Sequence, residues 1–341
     1  MNNSAQNLQQ VKRQNEPPSS PPNWPVSYRI NNRRLVPRAS ERRSKMIAFG
    51  YYGGKFSHLD FILPLLPTHF EHFCEPFGGS AAVLVNRPPA PVETYNDLDS
   101  EVVNFFECLR DRREELIQVI SLTPFSREEL VKACTSAPGL SKLERARRFF
   151  VRARQTRTGL AQTSSEGRWA HCVLTSRAGM AGAVSRWLGS VEGLPGIVQR
   201  FQRVQIENAP ATEVILRYDS PRTLFYCDPP YPHEARGDRK AYGYEMTDHE
   251  HEKLAEVLLA VRGAVALSSY RCSLMDRLYR DWRRVEADTR LCHSTKGERT
   301  ESVWLNYDPQ APPPPSAAAE DRNLYLLDRP ASKRARVHAK K

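Results

Sequence analysis

Residues 223–231 read TLFYCDPPY. An apolar run ends in Asp228, Pro229, Pro230 and Tyr231. Neither proline carries an amide hydrogen, so the Pro229 carbonyl is left without a competing donor beside it. A carboxylate next to a free carbonyl makes two acceptors, matched to the two hydrogens of an exocyclic amine. Tyr231 adds a ring on which a planar base can stack. Holding both N–H bonds favours a pyramidal nitrogen and localises its lone pair for attack. Preorganised polar groups of this kind are worth a few kcal/mol, by analogy with oxyanion-hole donors at about 2.7–4 kcal/mol.

A second cluster, Glu75-Pro76-Phe77-Gly78-Gly79-Ser80, reads as a turn between a strand and a helix. Glycines let the backbone approach a ligand and present amides at a helix start. The turn lacks both the GxGxxG spacing and a GKS/T signature, which argues against a dinucleotide pyrophosphate site and a P-loop. Asp97 follows about 20 residues later at the end of the next strand-like run, where an acid can accept hydrogen bonds from ribose hydroxyls. Together these favour a nucleoside-type cofactor.

The elements that must position these groups are legible as alternating patterns. MIAFGYYGGKFSHLDFILPLLP begins at Met46, with a tight turn at Gly53-Gly54 and then Lys55. Leu59, Ile62, Leu63 and Leu66 make a helical apolar face that ends at Pro67. HFCEPFGGSAAVLVN reads as a short strand, a Gly-rich turn and a helix; further strands are predicted at VETYND, TLFYC, AVALSSY and SVWLNY, and helices over 100–113, 247–261 and 272–281. Strands alternating with helices predict an α/β fold with a mostly parallel, Rossmann-like sheet covered on both faces. Ligands in such sheets lie at the carboxyl ends of strands, where Asp97 and Asp228 both fall. The HEH run at 249–251 reads as a solvated helix start.

Residues 114–215 break the alternation and read as a mainly helical insertion. It carries Arg145, Arg147, Arg148, Arg152, Arg154 and Arg157 within 13 positions. Interleaved with Phe149, Phe150 and Trp169, these suit either a solvated basic face or a nucleic-acid-reading module. The candidate DNA contacts are Arg148, Arg152, Arg154, Arg157, Trp169 and Arg177.

The chain has 341 residues and a net charge of +11. Residues 1–45 carry nine basic and two acidic side chains, and residues 309–341 carry seven and three, so these tails hold the whole excess. Both are rich in Pro, Ser, Ala or Asn and read as disordered. The catalytic body then comprises 46–113 and 216–308. The seven cysteines form no CxxC pair, which suits reduced thiols in a cytoplasm and argues against a zinc site. No apolar stretch approaches the roughly 20 residues of a membrane span, and the N-terminus lacks a signal-peptide core.

The ordered set GYYGGK, EPFGGS, YND, CDPPY and TESVWLNY resembles the Dam-like class of DNA adenine-N6 methyltransferases over residues 46 to about 308. The resemblance implies S-adenosylmethionine as cofactor, methyl transfer to N6 of an adenine flipped out of duplex DNA, and a target-recognition insertion where 114–215 lies. It implies that Tyr51, Gly54 and Lys55 lie at the cofactor's methionine end and that Glu75, Pro76, Phe77, Gly78, Gly79 and Ser80 wrap it. Asp97 would hold the ribose, and Asp228, Pro229, Pro230 and Tyr231 would engage the adenine, with Asp228 also near the cofactor. Tyr51 stands where many relatives have tryptophan. Ala81 stands where glycine is common, which leaves room for a different backbone path. No metal is required. Double-stranded DNA is the implied partner, in a bacterial or phage setting, with a cognate restriction endonuclease as a possible companion.

Three alternatives remain open at this point. An N4-cytosine DNA methyltransferase uses a similar four-residue element, although Asp at its first position favours adenine. A protein-glutamine methyltransferase usually has Asn there. A catalytically dead DNA-binding relative would have no need of Lys55, Asp97 and Asp228 together.

Overall fold

The computed structural model describes residues 45–51, 53–157, 161, 165–235, 244–287, 290–291 and 298–310. Of the two basic tails, residues 1–44 and 311–341 fall outside them.

Seven strands form the central sheet. They are β1 (His72–Glu75), β2 (Val92–Asn96), β5 (Gln205–Glu207), β6 (Thr223–Cys227), β7 (Ala264–Tyr270), β8 (Arg283–Glu286) and β11 (Glu301–Leu305). Their spatial order is β5-β2-β1-β6-β7-β11-β8. The first five run parallel, and β11 enters antiparallel between β7 and β8. The four smaller strands pair outside this sheet, β3 (Ser176–Arg177) with β4 (Met180–Ala181) and β9 (Arg290–Leu291) with β10 (Glu298–Arg299). This is the mostly parallel, Rossmann-like α/β sheet that the alternating pattern predicts.

The central strands are near-continuous apolar runs because helices cover both faces. Every residue of TLFYC in β6 is buried. From β1 the chain crosses to β2 on one side, and from β6 it crosses to β7 on the other. The adjacent ends of β1 and β6 therefore frame a crevice, where open α/β sheets bind ligands.

The helices are α1 (Leu59–Ile62), α2 (Ala82–Asn86), α3 (Ser100–Asp111), α4 (Arg113–Ser121), α5 (Arg127–Cys134), α6 (Lys142–Gln155), α7 (Gly182–Phe201), α8 (Ala211–Tyr218), α9 (Asp248–Ala260) and α10 (Ser273–Leu278). Local chemistry sets their starts. Asp99 accepts from the Glu101 amide to cap α3, and Ser141 accepts from the Glu144 amide to cap α6. At α9, Thr247 and Glu250 form a reciprocal capping box. Arg112 separates α3 from α4 where the pattern suggested one helix to 113.

The region expected to be an insertion differs from expectation in two ways. Its last part returns to the sheet early, since β5 pairs with β2 at Thr94–Gln205, Tyr95–Ile206 and Asn96–Glu207. Its helices α4 to α7 also share the main core. Phe149 meets Phe49 edge-on at 5.0 Å, Phe150 stacks with Phe105 at 5.7 Å, and Phe106 stacks with Phe201 at 4.2 Å. Phe149 and Phe150 are fully buried, so their rings hold α6 onto the sheet's helical layer. A buried ion cluster fastens α7 as well. Arg200 and Arg87 both pair with Glu93 on β2, and Arg200 also donates to the Leu84 carbonyl at 2.9 Å.

Candidate active site

At the end of β1, Glu75 is buried and its Oε2 accepts from the Leu84 amide at 3.1 Å. Burial pushes its carboxyl well above the usual range, against that amide's contribution. The turn that follows is shaped by aromatic neighbours. A side chain at Gly78 would meet Tyr95 Cε2 at 2.1 Å, and one at Gly79, where φ is +48°, would meet Tyr51 Cδ1 at 2.9 Å. The Tyr95 hydroxyl donates to the Gly79 carbonyl at 2.8 Å. Ala81 adopts the left-handed conformation (φ 55°, ψ 30°), a geometry that alanine holds at a cost of roughly 1–2 kcal/mol. The path thus stays one that suits glycine, even with alanine in place.

Asp97 follows β2 and joins the two walls of the turn. Its Oδ2 accepts from the Gly79 amide at 2.7 Å and its Oδ1 from the Asp99 amide at 2.8 Å. Burial raises its pKa to about 6, with those two amides opposing the rise. Asn96, whose role the sequence reading missed, anchors the same walls. It donates to the carbonyls of Pro76 at 2.8 Å and Ala209 at 3.0 Å.

Lys55 is brought in from the other side by the Gly53-Gly54 turn, closed by the Gly54 amide donating to Tyr51 O at 3.0 Å. A side chain at Gly54 would sit 3.0 Å from that carbonyl. Lys55 is buried and its Nζ lies 2.7 Å from Asp228 Oδ1 and 3.8 Å from Glu301 Oε1. Burial alone would lower its pKa, but the two carboxylates outweigh this and hold it above its ordinary value. Asp228 moves the opposite way, raised to about 6 by burial, with Lys55 opposing and Glu301 adding to the rise.

A cavity of about 360 Å³ opens between these groups. Tyr51, Gly54, Lys55, Asp97 and the whole 75–80 turn line it, together with Asp228 and Pro230. The sequence reading missed its far wall, formed by Tyr244, Met246, Glu250 and Lys253. Tyr231 lies behind Asp228 and does not line the cavity. It is buried, lies 4.8 Å beneath the Lys55 ammonium, and meets Tyr270 edge-on at 4.7 Å. Its hydroxyl donates to Glu301.

Thus one side of Asp228 faces a cavity of cofactor size, and the other faces a buried Lys–Glu–Tyr cluster. The D12 class of N6 adenine-specific DNA methyltransferases matches residues 51–291, well over half of the chain. The protein belongs to that family. It methylates adenine N6 in DNA, which decides against the cytosine-N4 alternative and against the non-catalytic one. A Type II methyltransferase, M1.LlaDCHI of Lactococcus lactis subsp. cremoris, is 26% identical over 283 residues, covering 75% of this chain and 93% of the relative.

In this methyltransferase several expected DNA contacts have partners inside the fold. Arg154 donates to the Ala48 and Ile47 carbonyls at 3.0 and 3.2 Å. Arg152 donates to Ala161 and Ala133, and Arg148 to Glu144 and the Thr135 carbonyl. Trp169 packs between Phe125 and the Arg127 guanidinium, with His171 stacked beside it. Arg157 is exposed and donates to His171. Arg177 is exposed on the β3–β4 hairpin, whose turn at Ala178-Gly179 has positive φ at both residues. His249 is exposed, as read, whereas His251 is buried. Among the described residues no three His, Cys, Asp or Glu side chains converge as a metal site, and no helix is long and apolar enough to cross a membrane.

Proposed function

We propose that the 360 Å³ cavity holds S-adenosylmethionine and that Asp228 and the Pro229 carbonyl take the two N6 hydrogens of an adenine flipped from duplex DNA. The observation that carries this reading is the position of Asp228. It follows β6, ion-paired to Lys55, on the boundary between the cavity and the Tyr231 ring.

The cavity's chemistry fits the group. Gly78 and Gly79 leave no room for side chains, so backbone can lie against a ligand. Asp97 has both oxygens oriented by amides, with lone pairs left over for a ribose diol. The half-buried Phe77 and the exposed Leu98 beside them offer apolar contact for a base. When bound, S-adenosylmethionine supplies an electrophilic sulfonium methyl group.

The protein's part is to orient the amine. Ionised Asp228 and the Pro229 carbonyl draw N6 toward a pyramidal geometry with its lone pair aimed at the cavity. Asp228 need not act as a strong base, because the amine becomes acidic only once methylated. Flipping costs a few kcal/mol in unstacking, offset by contacts in the pocket. Tyr231 is too buried to be reached directly, so an entering adenine displaces part of its cover before stacking on it.

The α4–α7 region, with the exposed Arg157 and Arg177, serves in this reading as the target-recognition part. The enzyme acts site-specifically, in the cytoplasm of a bacterium or on behalf of a phage, and a cognate restriction endonuclease is its expected companion. The test is nucleoside analysis of DNA from a methylation-free host expressing the chain. N6-methyladenine that disappears in Asp228→Ala, with S-adenosylmethionine binding retained in calorimetry, supports the reading. N6-methyladenine that persists in that variant sinks it.

A further inference from the structure

We propose that Glu301 is a positioning residue for methyl transfer: it holds Lys55 and Tyr231 so that Asp228 keeps an acceptor free for the target amine. This rests on the reading that Asp228 takes an N6 hydrogen.

Glu301 opens β11, a strand otherwise read for its apolar residues, and all five of its residues are buried. A buried carboxylate is costly unless it is paired and hydrogen-bonded. Here it has both kinds of partner. Its Oε1 lies 3.8 Å from Lys55 Nζ and accepts the Tyr231 hydroxyl. Lys55 donates in addition to the Gly53 carbonyl. One ammonium thus serves two carboxylates, and the buried set of Lys55, Asp228 and Glu301 carries a net charge of −1 when all are ionised.

That surplus charge has a direction. With Glu301 present, Lys55 is held among Gly53, Asp228 and Glu301 rather than committed to Asp228 alone. The Tyr231 hydroxyl, which also reaches Asp228, is drawn toward Glu301. Both effects leave Asp228 electron-rich on the side where an amine must donate. Without Glu301, Lys55 and Tyr231 would turn wholly onto Asp228 and compete with the substrate for its lone pairs.

The groups facing Glu301 are Lys55 from the Gly53-Gly54 turn, Asp228 and Tyr231 from beyond β6, and Tyr270 from β7, its register partner. After β8, Ala287 meets it through backbone only, its amide donating to the Glu301 carbonyl at 2.8 Å. The charge on Glu301 also raises the pKa of Asp228.

The experiment compares full-length wild type, Glu301→Gln, Glu301→Asp and Asp228→Ala in single-turnover methyl transfer to duplex DNA from pH 5 to 9. Thermal melts and S-adenosylmethionine calorimetry check that each is folded and loaded. The expected result for Glu301→Gln is a plateau rate lower by about 10- to 100-fold, with the methyl-donor Kd within about threefold. Its acid limb should move to lower pH, because a negative charge beside Asp228 is gone. Glu301→Asp should recover part of the rate. A wild-type rate and acid limb in folded Glu301→Gln would overturn the proposal, as would a slow variant whose acid limb has not moved. Activity remaining in Asp228→Ala would instead refute the underlying reading of Asp228.

Discussion

Lys55 Nζ and Asp228 Oδ1 lie 2.7 Å apart although the residues are 173 positions apart in sequence, inside a region where Lys55 is only 3% exposed. The pair joins the turn after Tyr51 to the end of β6. Removing one partner of a buried pair leaves an uncompensated charge and typically costs 3–5 kcal/mol. Lys55→Met should therefore lower the thermal midpoint by several degrees and reduce methyl transfer by at least about 100-fold. Lys55→Arg should recover little, because a planar guanidinium cannot occupy the position of a compact ammonium among Gly53, Asp228 and Glu301. Wild-type transfer rates in a folded Lys55→Met protein would remove the pair from the chemistry.

The glycine turn makes a more selective prediction. A Cβ at Gly78 would lie 2.1 Å from the Tyr95 ring, and Tyr95 is fully buried, edge-on against the stacked Phe106 and Phe201. The ring has no space to retreat, so the turn must move. Gly78→Ala is expected to weaken S-adenosylmethionine binding at least tenfold in calorimetry and to lower the melting temperature. DNA affinity, measured by fluorescence anisotropy without methyl donor, should stay within about twofold. Unchanged donor affinity would show that this turn does not wrap the cofactor.

The fold was largely legible because its signals are local. TLFYC is an apolar run at strand length that stops on Asp228, and the glycine turn after Glu75 marks the passage from β1 to α2. What could not be read was set by tertiary pairing. QIE at 205–207 has three residues and no pattern, and becomes β5 only because β2 has a free edge. The α6 arginines have the spacing of a basic face, yet Arg152 and Arg154 answer carbonyls that the chain leaves open elsewhere. Glu301 carried one faint signal, an acid opening a strand that is otherwise apolar, but its side-chain partners Tyr231 and Lys55 lie 70 residues away or more.

The state of Asp228 makes the enzyme pH-dependent in two ways. Its proposed role requires the ionised form, so the single-turnover rate should rise through one ionisation with a midpoint near its pKa of about 6 and then level off. Its contribution to stability runs the other way. The folded-state pKa is above the unfolded value near 3.9, so the fold binds this proton more tightly. That contribution is fully present below about pH 4 and is lost as the pH rises through about 6. The melting temperature of Asp228→Asn relative to wild type should therefore shift in the variant's favour between pH 4.5 and 8. A difference that is flat across this range would place the carboxyl's pKa near its ordinary value.

Arg154 and Arg177 offer the cleanest test of scaffold against DNA contact. Arg154 holds the Ala48 and Ile47 carbonyls, and burial lowers its pKa to about 10. Arg177 stands exposed on the hairpin. Arg154→Ala should cut the melting temperature, since it strands two carbonyls and the packing of the side-chain stem. The salt dependence of DNA binding should not change. Arg177→Ala should leave the melt within a degree or so. If it reaches a base edge, it should cost about 1–3 kcal/mol of cognate affinity and relax specificity at one position. If it reaches a phosphate, it should reduce the salt slope by about 1 on all sequences. Melting curves paired with anisotropy titrations at several salt concentrations would decide the matter. DNA binding unaffected by Arg177→Ala would move the recognition surface off this hairpin arginine.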